Sequence, residues 1–169
     1  MKKFFIILSL IIVIVAVLLF MPSFETKYLR IHIRANSNSI EDTSIKHEIK
    51  DVVCEYLTPL FVDCNEIEKA KQILSKNLNN IERIVDSVIA KKGLTYTSSA
   101  QINNEYFPTR NYKELVLESG YYDALIINLG DAIGDNWWCV IYPPMCLADN
   151  TKNVVYKSKL LQIISKLFD

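Results

Sequence analysis

Four cysteines, two histidines and a scatter of carboxylates are the side chains of this 169-residue chain that could carry nucleophilic, redox or metal chemistry. The histidines share no ligand pattern. His47 stands in Lys-His-Glu-Ile-Lys, without the second histidine that a helical His-Glu-x-x-His zinc site requires. His32 falls on the polar side of an alternating apolar–polar run. Cys54, Cys64, Cys139 and Cys146 lack the paired Cys-x-x-Cys spacing of a zinc ribbon. There is no glycine-rich phosphate loop, nucleophile elbow or dinucleotide fingerprint. Glu41, Asp42, Asp123, Asp131 and Asp135 sit at turns and helix starts, where caps and solvated faces explain them better than a catalytic pair. The sequence therefore predicts no catalytic residue, no cofactor and no metal.

The compartment decides how the cysteines are read. Lys2 and Lys3 precede Phe4 to Phe20, an apolar run broken only by Ser9. A basic start followed by such a run is an export signal, with the lysines staying on the cytoplasmic side. Met21-Pro22-Ser23 is a poor cleavage site, and the run reaches the short end of the roughly 17–25 residues that span a bilayer. Residues 1–23 are thus a signal peptide or an N-terminal signal anchor, and residues 24–169 one exported domain. An even cysteine count outside the membrane suggests disulfides; four cysteines allow three connectivities, of which the local pairs Cys54–Cys64 and Cys139–Cys146 are favoured over free thiols.

Charge excludes several partners. The chain has 19 basic and 19 acidic residues, and without Lys2 and Lys3 the exported part carries two more acidic than basic. Nucleic acid needs a basic stripe and anionic lipid a polybasic cluster; neither is present. Membrane contact is expected only through residues 4–20.

The elements that must position these residues follow from periodicity. Leu29, Ile31, Ile33 and Ala35 alternate with Arg30, His32 and Arg34, predicting a half-buried strand over 28–35. Ser39 and Asp42 suggest a capping box, opening a helix with Ile45, Ile49, Val52, Val53, Tyr56 and Leu57 on one face and Pro59 near its end. Asn65 and Glu68 open a second helix from Ile67 to Val88, stopped at Gly93. Strands are expected over 94–102, 121–129 and 137–142, with a short amphipathic helix over 157–168. The order predicts an α+β fold: an antiparallel sheet with a two-helix hairpin packed on one face and a short C-terminal helix.

The most unusual stretch is Gly134-Asp-Asn-Trp-Trp-Cys-Val-Ile-Tyr-Pro-Pro-Met-Cys146, which holds both tryptophans beside Tyr142, Pro143 and Pro144. Aromatic rings next to a rigid Pro-Pro pair make a preorganised surface suited to a protein interface, or plug the end of the sheet. Adjacent strand residues face opposite ways, so one tryptophan should point inward and one outward.

This block resembles the signature of the stage II sporulation protein R family of endospore-forming bacteria. Leu29-Arg-Ile-His-Ile-Arg-Ala-Asn-Ser37, Phe107-Pro-Thr-Arg-Asn-Tyr112 and Gly120-Tyr-Tyr-Asp-Ala-Leu125 resemble further family blocks in the same order. Glu118-Ser119 and Asn38-Ser39-Ile40 depart from the family pattern, both in loops. The resemblance implies a non-enzymatic signal, secreted across the forespore membrane into the intermembrane space. There it would activate the membrane-embedded aspartic protease that processes pro-sigma-E in the mother cell. On that reading Trp137, Trp138, Tyr142, Pro143 and Pro144 are apolar contacts, and Arg110 and Asn136 bind the partner or hold the loop. Arg110 pairing with Asp123 is the structural alternative. An envelope enzyme acting on peptidoglycan, with the tryptophans stacked on sugar, and a structural septal protein are the rival classes.

Overall fold

The structure, a computed structural model, describes residues 27–112 and 115–148, so the leader and the stretch 157–168 lie outside the described residues. Along the chain run β1 (Leu29–Arg34), α1 (Ile40–Leu60), α2 (Ile67–Lys91), β2 (Ser98–Phe107), β3 (Arg110–Tyr112), β4 (Leu115–Leu117), β5 (Gly120–Leu129), β6 (Asn136–Tyr142) and the single turn α3 (Met145–Ala148). No helix among the described residues is long and apolar enough to cross a membrane.

Ser39 caps α1 as its position foretells, its hydroxyl accepting from the Asp42 amide at 3.0 Å. Pro59 is tolerated inside the last turn, and the helix ends one residue beyond it. The α2 helix opens at Glu66 with no side-chain cap, so its stability rests on the apolar stripe Ala70, Leu74, Ile81, Val85, Val88 and Ile89, all buried.

Four strands form one sheet in the order β2-β5-β1-β6, while β3 and β4 make a separate two-stranded hairpin. The expected antiparallel sheet is wrong in one respect: β1 runs parallel to β5, with Ile31 beside Leu125 and Ile33 beside Ile127. The reason is topological. The loop 130–135 reverses the chain between β5 and β6, and β1 inserts between these two arms. A strand lying between two oppositely directed arms must be parallel to one of them.

Both helices cover one face. Leu29, Ile31 and Ile33 of β1, Leu125, Ile127 and Leu129 of β5, and Cys139 and Ile141 of β6 meet Ile45, Ile49, Val53, Leu57, Leu74 and Ile81 in a single core. Each fully buried Leu or Ile is worth about 1.5–3 kcal/mol, so this layer fixes the sheet. Residues of the opposite parity then face away from the helices.

Candidate functional site

The face turned away from the helices is not a solvated polar surface. Arg30 is fully buried and His32 is 4% exposed, contrary to the expectation that β1 hides only its apolar side. Two things cover them. Phe107, Ala124 and Ile126, with Tyr122 and Trp138, form a second small core on this side. The β3–β4 hairpin then lies over it, attached through side chains rather than strand pairing: the Arg30 Nη2 donates to the Tyr112 hydroxyl at 2.7 Å, and the Arg110 guanidinium sits 4.2 Å above the Trp138 ring.

Arg30 lies in an aromatic box. Its guanidinium carbon is 4.2 Å from the Phe107 centroid, 4.9 Å from Tyr122 and 5.8 Å from Tyr112. Ring faces attract a desolvated cation by about 2 kcal/mol, but they accept no conventional hydrogen bond from it. Arg34, next along the same face, is ion-paired with Glu105 and donates to the Asn128 side-chain oxygen at 3.0 Å.

His32 lies between these arginines, tilted against Trp138 with ring centroids 5.3 Å apart and edge-on to Phe107 at 5.8 Å. Its Nδ1 is 3.3 Å from Glu105 Oε2. Burial lowers its pKa from 6.5 to about 4, assisted by the positive charges of Arg34 and Arg30 and opposed by the Asn136 side chain. The ring is therefore neutral at pH 7, and the Glu105 contact assigns the proton to Nδ1. An unfolded chain takes up a proton below about 6.5 and the native one only below about 4, so stability should fall with pH across that window and flatten beneath it. Between pH 7 and 5 the loss should be on the order of 1–2 kcal/mol. Urea titrations at both values check this; His32→Gln should shrink the difference, and an unchanged difference would count against a neutral buried ring.

What holds the face in register is a pair of interlocked loops. The turn Ala35–Ser39 after β1 meets the loop 130–135 joining β5 to β6. Gly134 N–H donates to Ala35 O at 2.9 Å, Asp131 N–H to Asn36 Oδ1 at 2.9 Å and Asp135 N–H to Asn38 Oδ1 at 2.6 Å. Buried Lys46 reaches the Asp135 carbonyl from α1 at 2.8 Å. Behind them Asp42, also buried, accepts from Ser37 Oγ, from Asn36 Nδ2 at 3.0 Å and from the Tyr96 hydroxyl at 2.6 Å. Burial alone would raise the Asp42 pKa; the hydrogen bonds from Ser37, Tyr96, Asn36 and Ser39 outweigh it and lower the pKa. Its sequence role as a capping residue hid this second one.

The residues expected to meet a partner are divided by the fold. Trp137 and Trp138 face opposite sides of β6, as alternation requires, Trp137 against the helix-side core and Trp138 in the arginine cluster, each half-buried. Asn136 is exposed at the start of β6 and Arg110 is exposed on the hairpin. Asp123 pairs with Lys71 at 2.7 Å and with Asn104 rather than with Arg110. Tyr142, 5% exposed, belongs to the helix-side core; Pro143, after a cis bond, is also buried, and Pro144 is half-buried. These three stiffen the end of β6 and present little surface.

The cysteines gather in two places. The Cys146 thiol donates to Val140 O at 2.8 Å, and the Cys139 sulfur is 3.9 Å from the same oxygen. Burial, then the neighbouring Cys139 and Cys54 thiols, raises the Cys146 pKa well above its usual range. Cys64 lies apart, its thiol donating to Glu66 O at 3.4 Å. Oxidised glutathione is expected to join Cys146 to Cys139 by thiol–disulfide exchange, slowly because both thiols are largely buried, leaving Cys64, itself only 2% exposed, as a thiol that alkylates once the chain is unfolded. Peptide mapping decides; a recovered Cys54–Cys64 bridge would contradict the grouping. Among the described residues, no three His, Cys, Asp or Glu side chains are placed to hold a metal ion.

Fold and site together define a two-layer domain, with a mixed sheet backed by two helices on one side and an aromatic–arginine cluster on the other. Residues 25–152 match the stage II sporulation protein R family. The chain is 34% identical over 131 residues to stage II sporulation protein R of Bacillus subtilis (strain 168), an alignment covering 78% of this chain and 58% of that protein. It belongs to the stage II sporulation protein R family, and it spans less than two-thirds of that relative's length. No solved structure matches it.

Proposed function

We propose that this sporulation protein is a secreted signal. Made in the forespore and exported to the intermembrane space, it binds the membrane-embedded aspartic protease that processes pro-sigma-E and switches it on, without catalysis of its own. Family membership supports the pathway. The observation that carries the site is the cluster around Trp138: a half-buried indole clamped by the exposed Arg110 and backed by the buried His32 ring. A partly exposed aromatic held rigid between a guanidinium and a buried ring loses little entropy on docking, which is the character of an interface hot spot. Activation further requires that the domain bind the protease's active arrangement more tightly than its resting one; equal affinity shifts nothing.

Coexpression of the full chain with protease and pro-sigma-E tests this by cleavage of the pro-sequence. Trp138→Ala should lower cleavage about tenfold or more, the loss expected of a hot-spot contact, with circular dichroism unchanged. Trp137→Ala should act mainly through stability, since that ring packs on the helix side. No cleavage with the wild-type chain sinks the proposal. Cleavage indifferent to Trp138 moves the contact elsewhere.

A further inference from the structure

Among the described residues, four buried side-chain nitrogens find no hydrogen-bond partner: Arg30 Nε and Nη1, His32 Nε2 and Trp138 Nε1. All four belong to the one cluster beneath the β3–β4 hairpin, and Arg30 and His32 are more than nine-tenths buried. A buried polar group left unpaired costs about 1–3 kcal/mol, and more when charged. Such a concentration at one spot points to an acceptor and donor set that the described residues do not themselves supply.

Charge says which ligand. On the sheet face β1 supplies Arg30 and Arg34, the hairpin adds Arg110, and among the described residues the strands set a single carboxylate against them, Glu105. Glu105 is already taken by Arg34 and His32. Among the described residues, the Arg30 guanidinium has only the Tyr112 hydroxyl as acceptor, a neutral oxygen bonded to one of its three nitrogens. A carboxylate is the planar two-oxygen acceptor that fits a guanidinium edge, and its charge-assisted bonds are about twice as strong as neutral ones.

We propose that Arg30 is the receptor for one aspartate or glutamate side chain on an extended segment of the partner protein, which displaces the Tyr112 hydroxyl and takes the guanidinium's free edge. This rests on the binding role proposed above and assigns its chemistry. The indole N–H of Trp138 donates to an acceptor on the same segment. The neutral His32, protonated on Nδ1 toward Glu105, offers Nε2 as an acceptor to a donor there. Arg110 is drawn toward the same incoming charge.

The test uses the full chain in detergent, labelled with nitrogen-15, following the Arg30 Nε–H and Trp138 Nε1–H signals by NMR. Capped glutamate, capped glutamine and inorganic phosphate are titrated separately. Glutamate should shift both signals and glutamine neither. Arg30→Lys, which keeps the charge but loses the fork, should weaken glutamate binding tenfold or more. Should that variant fail to fold, Tyr112→Phe keeps the question open: with the competing hydroxyl gone, glutamate should bind at least as tightly as to wild type. No shift with glutamate, an equal shift with glutamine, or a stronger one with phosphate overturns the carboxylate receptor. The two proposals separate cleanly. Protease activation by a chain that ignores glutamate removes the receptor alone, whereas glutamate binding by a chain that never activates the protease removes the function alone.

Discussion

Gly134→Ala is expected to cost about 3 kcal/mol of stability, the upper range for overpacking, and to disorder the loop that joins β5 to β6. A Cβ there would lie 2.2 Å from the Ser37 carbonyl oxygen, 2.5 Å from its carbon and 2.9 Å from the Ala35 Cβ. The first two obstacles are backbone, and that backbone is pinned. Ala35 O accepts from Gly134 N–H, and Ala35 N–H donates back to Asp135 O at 3.4 Å, so a retreat of either segment breaks bonds on both. Gly130 is a useful contrast. Its φ of +54° already favours glycine, but the atom a Cβ would strike belongs to the Asn36 side chain. Asn36→Ala should therefore relieve part of the cost of Gly130→Ala and none of the cost of Gly134→Ala. Urea unfolding of the two single variants and the double variants measures this; a Gly134→Ala loss under about 1 kcal/mol would mean that the loops do not approach as described.

Asp42→Ala should be comparably severe, about 3 kcal/mol, since it strands several buried donors at once. The Tyr96 hydroxyl, Asn36 Nδ2 and Ser37 Oγ all converge on this carboxylate at the first turn of α1, where a negative charge also meets the positive end of the helix dipole. Asp42→Asn should lose less, keeping one acceptor and forfeiting the charge. The pH dependence has a definite sign. Because the folded pKa is lowered, this contribution is complete above the unfolded value of about 3.9 and disappears as pH falls through the folded one. Wild type and Asp42→Asn should thus converge in acid and diverge at neutral pH. If they stay parallel from pH 7 to 3, Asp42 is not the hub that its contacts describe.

How far the sequence speaks is visible in β1. Alternation correctly separates Leu29, Ile31 and Ile33 from Arg30, His32 and Arg34. It cannot say what covers the second set. The cover is a hairpin of two three-residue strands, too short to leave any periodic signal within the proline-containing connection. The uninterrupted run Ala124 to Ile127 carried a better clue. A strand apolar on both sides needs two covered faces, and β5 has them. Read together, the two runs imply that the arginines beside such a strand are buried as well. The parallel pairing had no local signal at all, because strand order depends on which arms enclose which strand. The opposite facing of the tryptophan pair was legible because alternation along a strand is purely local, whereas the cover over the outward ring, Trp138, was not.

The placement of β1 governs when the native state can exist. Its partners are Ala124 to Asn128 on one side and Asn136 to Tyr142 on the other, both roughly a hundred residues downstream. The first strand to emerge from a ribosome or a translocation pore is thus the last to be enclosed. Until Tyr142 has cleared, Ile31 and Ile33 lack a completed sheet, and until Tyr122 has cleared, Arg30 lacks its aromatic box. Such non-local pairing makes for slow folding in one late cooperative step, with no half-built domain competent to present Trp138. On the role proposed above, a partner would meet either the finished domain or none, and the message would wait until the strand ending at Tyr142 is in place.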